Sequence, residues 1–311
     1  MIIKAPIDLE LTQNSGQTSQ PPWKLDNNIY SDVVVADNKA VLFQVKQKEN
    51  NLDFNFIGDI SNKEATKKIK TIFDLDFNLN KFYKYLNNQP ELADMTNFCR
   101  DLRLFLAKDK FECVISSVCS ANNSIVRWTK SIDDIKKSWG NKYTYSEKDY
   151  FTFPDVSDFK NIYCDDVGEF ECCSNLNNPG ECINNLKSCG VGYRAPYMKK
   201  ASEIFTLEMD LDDISNMSYD EAFDTMLKVP GVGPKVADCI LLYGFNFRQA
   251  FPTDVWIKRI VSYLYFDGKD INVSKIREFG MEEFGDYAGY VQLYLFHYAR
   301  MSGLMKKLKG I

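Results

Sequence analysis

A lysine at the start of one helical segment and an aspartate at the start of the next are the residues best suited to chemistry. Lys235 follows the glycine turn at residues 230–233, and Asp254 lies nineteen residues further on, where another helical run begins. An amine can attack an electrophilic carbon, and a carboxylate can stabilise the positive charge that develops there. The ordinary alternatives are an exposed surface lysine and an aspartate that only caps its helix. Both interpretations stay open on the spacing alone.

Two helices joined by a short turn are predicted to position the lysine. Ser218 and Glu221 have capping-box spacing ahead of an apolar run, which predicts a helix leading into the turn. The turn itself follows from proline, which stops a helix, and from two glycines, which allow positive φ. Apolar residues then recur at helical spacing from Val236 to Tyr243, and Gly244 is the predicted stop. Unpaired N–H groups at the start of the second helix suit a phosphate.

The elements before this unit divide into a sheet and a helical region. Residues 1 to about 70 are predicted to be strands, with the clearest apolar alternation at residues 52–56. From about Leu79 the pattern becomes helical. One long apolar helix with a polar interruption is predicted over residues 111–129, and a separate capped helix over residues 131–140. The sequence therefore predicts a small antiparallel sheet with one face buried against helices.

Composition indicates a globular chain with reduced thiols. The 311 residues are 45% hydrophobic, and no apolar run reaches membrane-spanning length. The N-terminus lacks a signal-peptide pattern, so we expect a cytoplasmic protein. Nine cysteines at irregular spacing favour thiols over disulfides. Cys172, Cys173, Cys182 and Cys189 lie close together but form no CxxC pair, so we expect no metal site there.

The charge distribution is uneven. A net charge of −5 counts against a protein that binds nucleic acid. However, residues 208–224 hold seven acids and no base, whereas residues 187–200 hold four bases and no acid. Phosphate attraction is local, acting over a Debye length of ~10 Å at moderate salt. A net-acidic chain can therefore still present a basic face to a nucleic acid.

The segment Val229-Pro-Gly-Val-Gly-Pro-Lys-Val-Ala-Asp-Cys239, followed by Pro252-Thr-Asp254, closely resembles the helix-hairpin-helix DNA glycosylases. Within them it is similar to the 8-oxoguanine DNA glycosylase/lyases. The bifunctional members of the superfamily carry this lysine, and the monofunctional alkylation-repair members do not. The resemblance implies an α+β fold with an N-terminal antiparallel β-sheet domain (1–105). A helical domain (106–205) and a helix-hairpin-helix catalytic region (206–311) would follow. The active site is expected in the cleft between the two helical domains, with the C-terminal helix packed back on it.

The same resemblance assigns a base pocket. Gly16 would offer its carbonyl to the N7 hydrogen that 8-oxoguanine has and guanine lacks. Gln292 and Phe296, one helical turn apart, would read the Watson–Crick edge of the base and stack on its face. Cys239 would form the opposite wall, although its default interpretation is a small buried hydrophobe.

A second group of residues matches positions that act where the duplex is opened. Asn122 and Arg127 match residues that fill the gap left by the flipped base and bond the estranged cytosine. Tyr193 matches a wedge beside the lesion, and stacking of this kind contributes ~1–3 kcal/mol per base. Arg194 matches a further contact to the orphan cytosine. The presence of both arginines predicts a preference for cytosine as the opposite base.

The hairpin residues Gly231, Val232 and Gly233 are expected to bind a DNA phosphate. As in relatives, main-chain carbonyls near Leu227, Val229 and Val232 could also hold a structural monovalent or calcium ion. No side chain is expected to bind a metal, and the chemistry is expected to need no cofactor. The expected partner is double-stranded DNA containing 8-oxoguanine, and no membrane is expected to take part. The protein is expected to act as a monomer, at the nucleoid if it is bacterial or in the nucleus if it is eukaryotic.

The activity implied by the resemblance is base-excision repair by a DNA N-glycosylase that is also an AP lyase. The 8-oxoguanine is flipped out of the duplex, and Lys235 attacks C1′, expels the base and forms a Schiff base. β-Elimination then nicks the strand, while Asp254 stabilises the cationic sugar. Two alternatives stay open: a helix-hairpin-helix glycosylase for another damaged base, and a non-catalytic helix-hairpin-helix module that binds only DNA phosphate.

Overall fold

A computed structural model describes residues 1–36, 38–164 and 184–308. Cys172, Cys173 and Cys182 lie outside the described residues. The strands are β1 Ile2–Ile3, β2 Lys24–Asp26, β3 Ile29–Ala36, β4 Lys39–Lys48, β5 Asn51–Ile57, β6 Lys142–Tyr145 and β7 Lys148–Phe151. The α-helices are α1 Leu9–Asn14, α2 Asn62–Ile72, α3 Leu79–Asn87, α4 Met95–Phe98, α5 Lys110–Ser120, α6 Ile125–Trp139, α7 Val156–Phe159, α8 Ala195–Leu207, α9 Leu211–Ile214, α10 Tyr219–Leu227, α11 Pro234–Phe245, α12 Val255–Tyr265, α13 Val273–Phe284, α14 Ala288–Met301 and α15 Leu304–Lys307.

The N-terminal sheet is antiparallel, as predicted, with strand order β1-β5-β4-β3-β2. Alternating side chains point to one face, where Val45 and Phe54 pair across β4 and β5 and are buried. That face packs on α2 and on Trp23, whose ring centre lies 5.4 Å from that of Phe73. The other face is covered in part by the β6–β7 hairpin, through Tyr150.

The prediction of strands throughout residues 1–70 is wrong at α1 and α2. Asp8 accepts a hydrogen bond from the Leu11 N–H at 2.8 Å and starts α1. Ser61 and Glu64 form a complete capping box at the start of α2. Because such caps satisfy the first N–H groups of a helix, they favour helix over the short apolar alternation around them.

The helices that follow also differ from the prediction. The single helix predicted over residues 111–129 is two helices, α5 and α6, separated by a turn in which Asn122 has a φ of +50°. The second helix runs without a break through Ser131 to Trp139. Ser124 caps this helix, so the separate helix predicted to begin at Ser131 is part of α6. Residues 142–151, without a clear sequence pattern, form the β6–β7 hairpin.

Buried charges connect the sheet to these helices. Lys108 pairs with Asp32 of β3, and Lys136 of α6 lies 3.3 Å from the same carboxylate. Burial alone would raise the pKa of Asp32, but the two ammonium groups outweigh burial and hold that pKa below its usual value. The cluster fixes α6 against the sheet, because separating either partner would leave a buried charge unpaired.

The C-terminal helix α14 packs back onto the N-terminal half. The Tyr294 hydroxyl donates to the Leu102 carbonyl at 2.9 Å, and the Tyr290 hydroxyl donates to Asp74 at 2.9 Å. The ring of Tyr290 stacks on Phe77 with a centroid separation of 3.8 Å. Residues between Leu79 and Leu308, far apart in sequence, thereby form one core cluster, and the face of the sheet that packs on α2 forms a second. The division at residues 105 and 205 stays a prediction.

Arg103 joins three segments near this contact. Its side chain is buried, with Nε donating to the Pro6 carbonyl at 2.6 Å and Nη1 donating to the Asp74 and Phe77 carbonyls at 2.6 and 3.2 Å. Replacement by methionine keeps the apolar stem but leaves these carbonyls without the cation. We expect Arg103→Met to lower the free energy of unfolding by about 3 kcal/mol in denaturant titrations.

The exposed Arg100 provides the control for this measurement. Arg100→Met is expected to change the free energy of unfolding by no more than about 0.5 kcal/mol. Equal effects of the two substitutions would contradict the role given to Arg103.

Candidate active site

The hairpin between α10 and α11 has the geometry that its sequence predicts, with one exception. Ser218 and Glu221 form a capping box at the start of α10, and Val232 between the glycines is buried. Gly231 has a φ of +83°, and a Cβ there would lie 2.7–2.9 Å from the Tyr197 side chain. Gly233 has an extended conformation with a φ of −93°, so only one of the two glycines uses positive φ.

Lys235 occupies the first turn of α11 and is half-buried. The predicted stop of this helix at Gly244 is wrong by two residues. The helix continues to Phe245, and Asn246 ends it with a φ of +60°. Gly244 lies inside the helix, where a Cβ would come 3.3 Å from the Cys113 sulfur, so its small size serves the close packing of α5 on α11.

A buried polar network holds α11 from behind. Asp238, one turn after Lys235, accepts hydrogen bonds from the Arg277 guanidinium at 2.7 and 3.1 Å and from the Tyr219 hydroxyl. Burial raises the pKa of Asp238, and the bonds from Arg277 and Tyr219 oppose that rise. Since the three side chains come from α10, α11 and α13, the network fixes the helix that carries the lysine relative to its neighbours.

Asp254 starts α12, and its side chain accepts a hydrogen bond from the Ile257 N–H at 2.8 Å. The capping interpretation of this aspartate is therefore correct. The carboxylate is nevertheless half-buried and lines the same pocket as Lys235. Both groups sit at helix starts that open on one space, so capping does not remove the carboxylate from the site.

The pocket has a volume of about 70 Å³ and contains Lys235, Asp254 and the four residues assigned to a base pocket. Those four are Gly16, Cys239, Gln292 and Phe296. Six further residues line the pocket without having been predicted as site residues: Ser15, Gln17, Thr18, Tyr243, Pro252 and Leu293. Three of them adjoin an assigned residue in sequence, two lie two positions from one, and Tyr243 is one helical turn from Cys239. Sequence proximity and the i,i+4 rule are therefore the signals that could have found them.

The pocket walls come from the two ends of the chain. Residues 15–18 form one wall, and residues 235–296 form the others. The region 106–205 approaches through Ile125, whose Cδ1 would be 2.6 Å from a Cβ on Gly16, and through Ser117, whose hydroxyl is 3.2 Å from that of Thr18. The loop around Gly16 thus adds an N-terminal wall to the predicted cleft.

The pocket contains polar atoms with unused bonding capacity. The side chain of Gln292 is 8% exposed, and its Oε1 has no hydrogen-bond partner among the described residues. An unsatisfied buried acceptor is costly unless a ligand or water supplies a donor. Burial raises the pKa of the Cys239 thiol, while the nearby Lys235 ammonium and a hydrogen bond with Thr18 oppose the rise. The site is therefore suited to a ligand with donor groups along one edge.

The residues assigned to the opened duplex form a separate cluster. Asn122 and Arg127 are exposed at the turn between α5 and α6, and Tyr193 is 59% exposed on a 3₁₀ turn. Arg194 is only 8% exposed, with Nε donating to the Ala121 carbonyl at 2.8 Å and Nη2 donating to that of Asn122 at 3.0 Å.

This geometry separates the two arginines. The guanidinium of Arg194 is committed to main-chain oxygens and also lies 4.4 Å from the centre of the Tyr193 ring. It ties the tyrosine turn to the Asn122 turn. The contact of Arg194 to cytosine stays a prediction. Arg127 is the arginine of this cluster whose donors face solvent.

The described residues contain no group of three or more histidine, cysteine or acidic side chains placed to hold a metal. At the hairpin, the Val232 N–H donates to the Val229 carbonyl at 3.0 Å. None of the helices in the described ranges combines the length and the apolar character needed to cross a bilayer.

Comparison with known proteins matches both halves of the chain to known families. Residues 1–114 match the family "8-oxoguanine DNA glycosylase, N-terminal domain", and residues 115–285 match the "HhH-GPD superfamily base excision DNA repair protein" family. A relative described as a probable N-glycosylase/DNA lyase, from Methanothermobacter thermautotrophicus, is 44% identical over 97% of this chain and 96% of its own length.

Solved structures share the fold. The 8-oxoguanine glycosylase/lyase of Clostridium acetobutylicum, solved with double-stranded DNA containing cytosine opposite 8-oxoguanine, superposes with a TM-score of 0.77 at 29% identity. The alignment covers 97% of this chain and 98% of that one. The 3-methyladenine DNA-glycosylase of Archaeoglobus fulgidus has a TM-score of 0.76 at 20% identity, covering 96% of this chain and 98% of that one. This second likeness concerns the fold alone.

The fold and the pocket define a DNA glycosylase architecture built on a helix-hairpin-helix motif. With both halves matched and a relative 44% identical over nearly its whole length, the chain belongs to the HhH-GPD superfamily of base excision DNA repair proteins and carries the N-terminal domain of the 8-oxoguanine DNA glycosylases.

The two hairpin glycines provide a matched pair for a stability test. Gly231→Ala places a side chain at positive φ and against the Tyr197 ring, so we expect it to lower the free energy of unfolding by about 1–3 kcal/mol. Gly233→Ala meets no atom within 4 Å of its Cβ and has an ordinary φ, so we expect little change. Thermal denaturation of both variants checks this, and equal effects would contradict the hairpin geometry.

Proposed function

We propose that this protein excises 8-oxoguanine from duplex DNA, preferentially opposite cytosine, and then cleaves the strand as an AP lyase. The observation that carries the proposal is the convergence of an amine, a carboxylate and a set of polar and aromatic groups on one pocket. The family membership and the named glycosylase/lyase relatives support the same reaction.

The reaction follows from the positions of Lys235 and Asp254. A base inside the stack cannot be reached, so the nucleotide is rotated out of the duplex and its base enters the pocket. The amine of Lys235 bonds to C1′ as the bond from C1′ to the base breaks. Opening of the sugar ring leaves an iminium, and loss of a C2′ proton expels the 3′ phosphate. Asp254 stabilises the positive charge that develops at the sugar, an effect that strengthens as water is excluded.

Recognition of the base rests on the pocket walls. The Watson–Crick edge of an oxidised guanine carries N–H donors, and the unsatisfied Gln292 Oε1 is an acceptor suited to them. Phe296 offers a ring face for stacking, and the Gly16 carbonyl is proposed to accept the N7 hydrogen that distinguishes the lesion. Cys239 closes the opposite side.

The opposite base is proposed to be read at the cluster of Asn122, Arg127 and Tyr193. Arg127 is exposed and would offer its donors to the acceptors of an estranged cytosine, and the exposed Tyr193 ring would fill the gap in the base stack. Arg194 holds the two turns together through the Ala121 and Asn122 carbonyls. In this proposal its contribution to cytosine preference is positional.

Further features belong to the same proposal. Gly231, Val232 and Gly233 bind a phosphate through main-chain groups, and the reaction needs no cofactor. The hairpin offers the main-chain carbonyls of Leu227, Val229 and Val232 to a monovalent or calcium ion. Measuring how duplex binding depends on added potassium or calcium checks this ion site. The enzyme acts as a monomer, which size-exclusion chromatography can check. It works where its substrate lies, at the nucleoid of a bacterium or in the nucleus of a eukaryote.

A panel of lesion duplexes tests the proposal. We expect excision of 8-oxoguanine, slower excision when cytosine is replaced opposite the lesion, and loss of the opposite-base difference in Arg127→Ala.

Lys235→Gln should bind the lesion duplex and show neither excision nor borohydride trapping, because the nucleophile is absent. Lys228→Gln, at an exposed lysine of the same hairpin, should still be trapped.

The outcomes separate the alternatives. Preferred excision of thymine glycol or an alkylated base would assign the chain to another lesion, and binding without excision of any lesion would leave a DNA-binding module. Full borohydride trapping of Lys235→Gln would contradict the assignment of Lys235 as the nucleophile.

A further inference from the structure

One exposed arginine touches two opposite parts of the pocket. Arg300 lies in the last turn of α14, one helical turn after Phe296. Its Nη1 donates to the Ser15 carbonyl at 3.2 Å, and its guanidinium carbon lies 5.6 Å from the centre of the Phe296 ring. The same Nη1 would be 3.7 Å from a Cβ on Gly16. The guanidinium therefore sits between the loop of Gly16 and the aromatic wall.

The hydrogen bonds of this loop show why the contact matters. The Ser15 hydroxyl donates to Thr12, and the Gln17 amide donates to the Arg103 carbonyl at 3.0 Å, so these bonds anchor the loop to the N-terminal half. Among the described residues, the hydrogen bond from Arg300 is the one that joins residues 15–18 to α14. Helix α14 carries Gln292 and Phe296, so this bond spans the gap that a base would enter.

The position of Arg300 is not set by an acid. Among the described residues it forms no ion pair, in contrast to Arg248 and Arg277, which pair with Asp74 and Asp238. It is held by a carbonyl oxygen and by an aromatic face. A planar guanidinium can satisfy both at once, whereas a lysine ammonium cannot stack in this way.

We propose that Arg300 is a specificity-determining positioning residue, which sets the spacing between the Gly16 loop and the Phe296 wall of the base pocket. This inference rests on the proposed function. Its physical basis is that a recognition group must be held within a fraction of an ångström of its productive place to discriminate between bases. Loss of the guanidinium frees the loop to move relative to α14.

The proposal separates two reactions of the same lysine. Excision of 8-oxoguanine needs the damaged base seated between the loop and Phe296. Nicking of a preformed abasic site uses Lys235 but places no base in the pocket. A residue that sets the pocket spacing affects the first reaction and spares the second, whereas a residue that binds the DNA backbone or supports the whole fold affects both.

The test compares these reactions under single-turnover conditions in Arg300→Met, Arg300→Lys and the wild type. For Arg300→Met we expect 8-oxoguanine excision to fall by about ten- to a hundredfold, the scale of an ångström-sized misplacement, with abasic nicking unchanged. Arg300→Lys should show the same selective loss, because it keeps the charge but not the planar contact. The exposed Arg100→Met is the control and should retain both activities.

The results that overturn the proposal are distinct. An equal loss of both activities in Arg300→Met or Arg300→Lys, with a weaker salt dependence of duplex binding, would make Arg300 a phosphate contact. Unchanged excision in both Arg300 variants would show that Arg300 does not set the spacing of the base pocket. If Arg300→Met does not fold, Arg300→Lys decides by the same comparison. Failure of the wild type to excise 8-oxoguanine while it still nicks abasic DNA would instead contradict the proposed function.

Discussion

The structure depends on bringing one amine and one carboxylate to the same small space from the starts of two helices. Lys235 sits in the first turn of α11, and Asp254 caps α12 through the Ile257 N–H. A helix start fixes the direction of its side chains and places partial positive charge beside them. The amine and the carboxylate are therefore held in place before any substrate arrives, and this preorganisation is what an electrostatically assisted displacement requires.

The rest of the fold maintains that convergence from several sides. Behind α11, the pairing of Asp238 with Arg277 and Tyr219 resists rotation of the helix. In front, the Gly231 turn lets Tyr197 pack directly on the backbone of the hairpin. The C-terminal helix α14 then closes the pocket, and its bonds to the N-terminal half hold the first and last parts of the chain together. The pocket exists because sequence-distant segments pack against one another.

The sequence predicted those parts that are governed by local rules. The capping box at Ser218, the hairpin glycines and the alternating strands of the sheet are short-range signals, and the structure contains all of them. The errors occurred where two local signals compete, as at Ser124 and Ser131, or where packing decides, as at Gly244 against Cys113. Gly16 and Gln292 were assigned by resemblance, since no local rule brings together residues so far apart. The contacts of Arg194 and Arg300 with main-chain carbonyls depend on tertiary structure, so no local rule could predict them.

The central claim is that the Lys235 amine becomes bonded to the sugar carbon. The most direct measurement is mass spectrometry of tryptic peptides from the borohydride-reduced complex with an 8-oxoguanine duplex. Because a modified lysine resists trypsin, the account predicts that the adduct lies on a peptide running from Val229, uncut at Lys235, to Arg248. An adduct on any other amine, with the 229–235 peptide released unmodified, would contradict it.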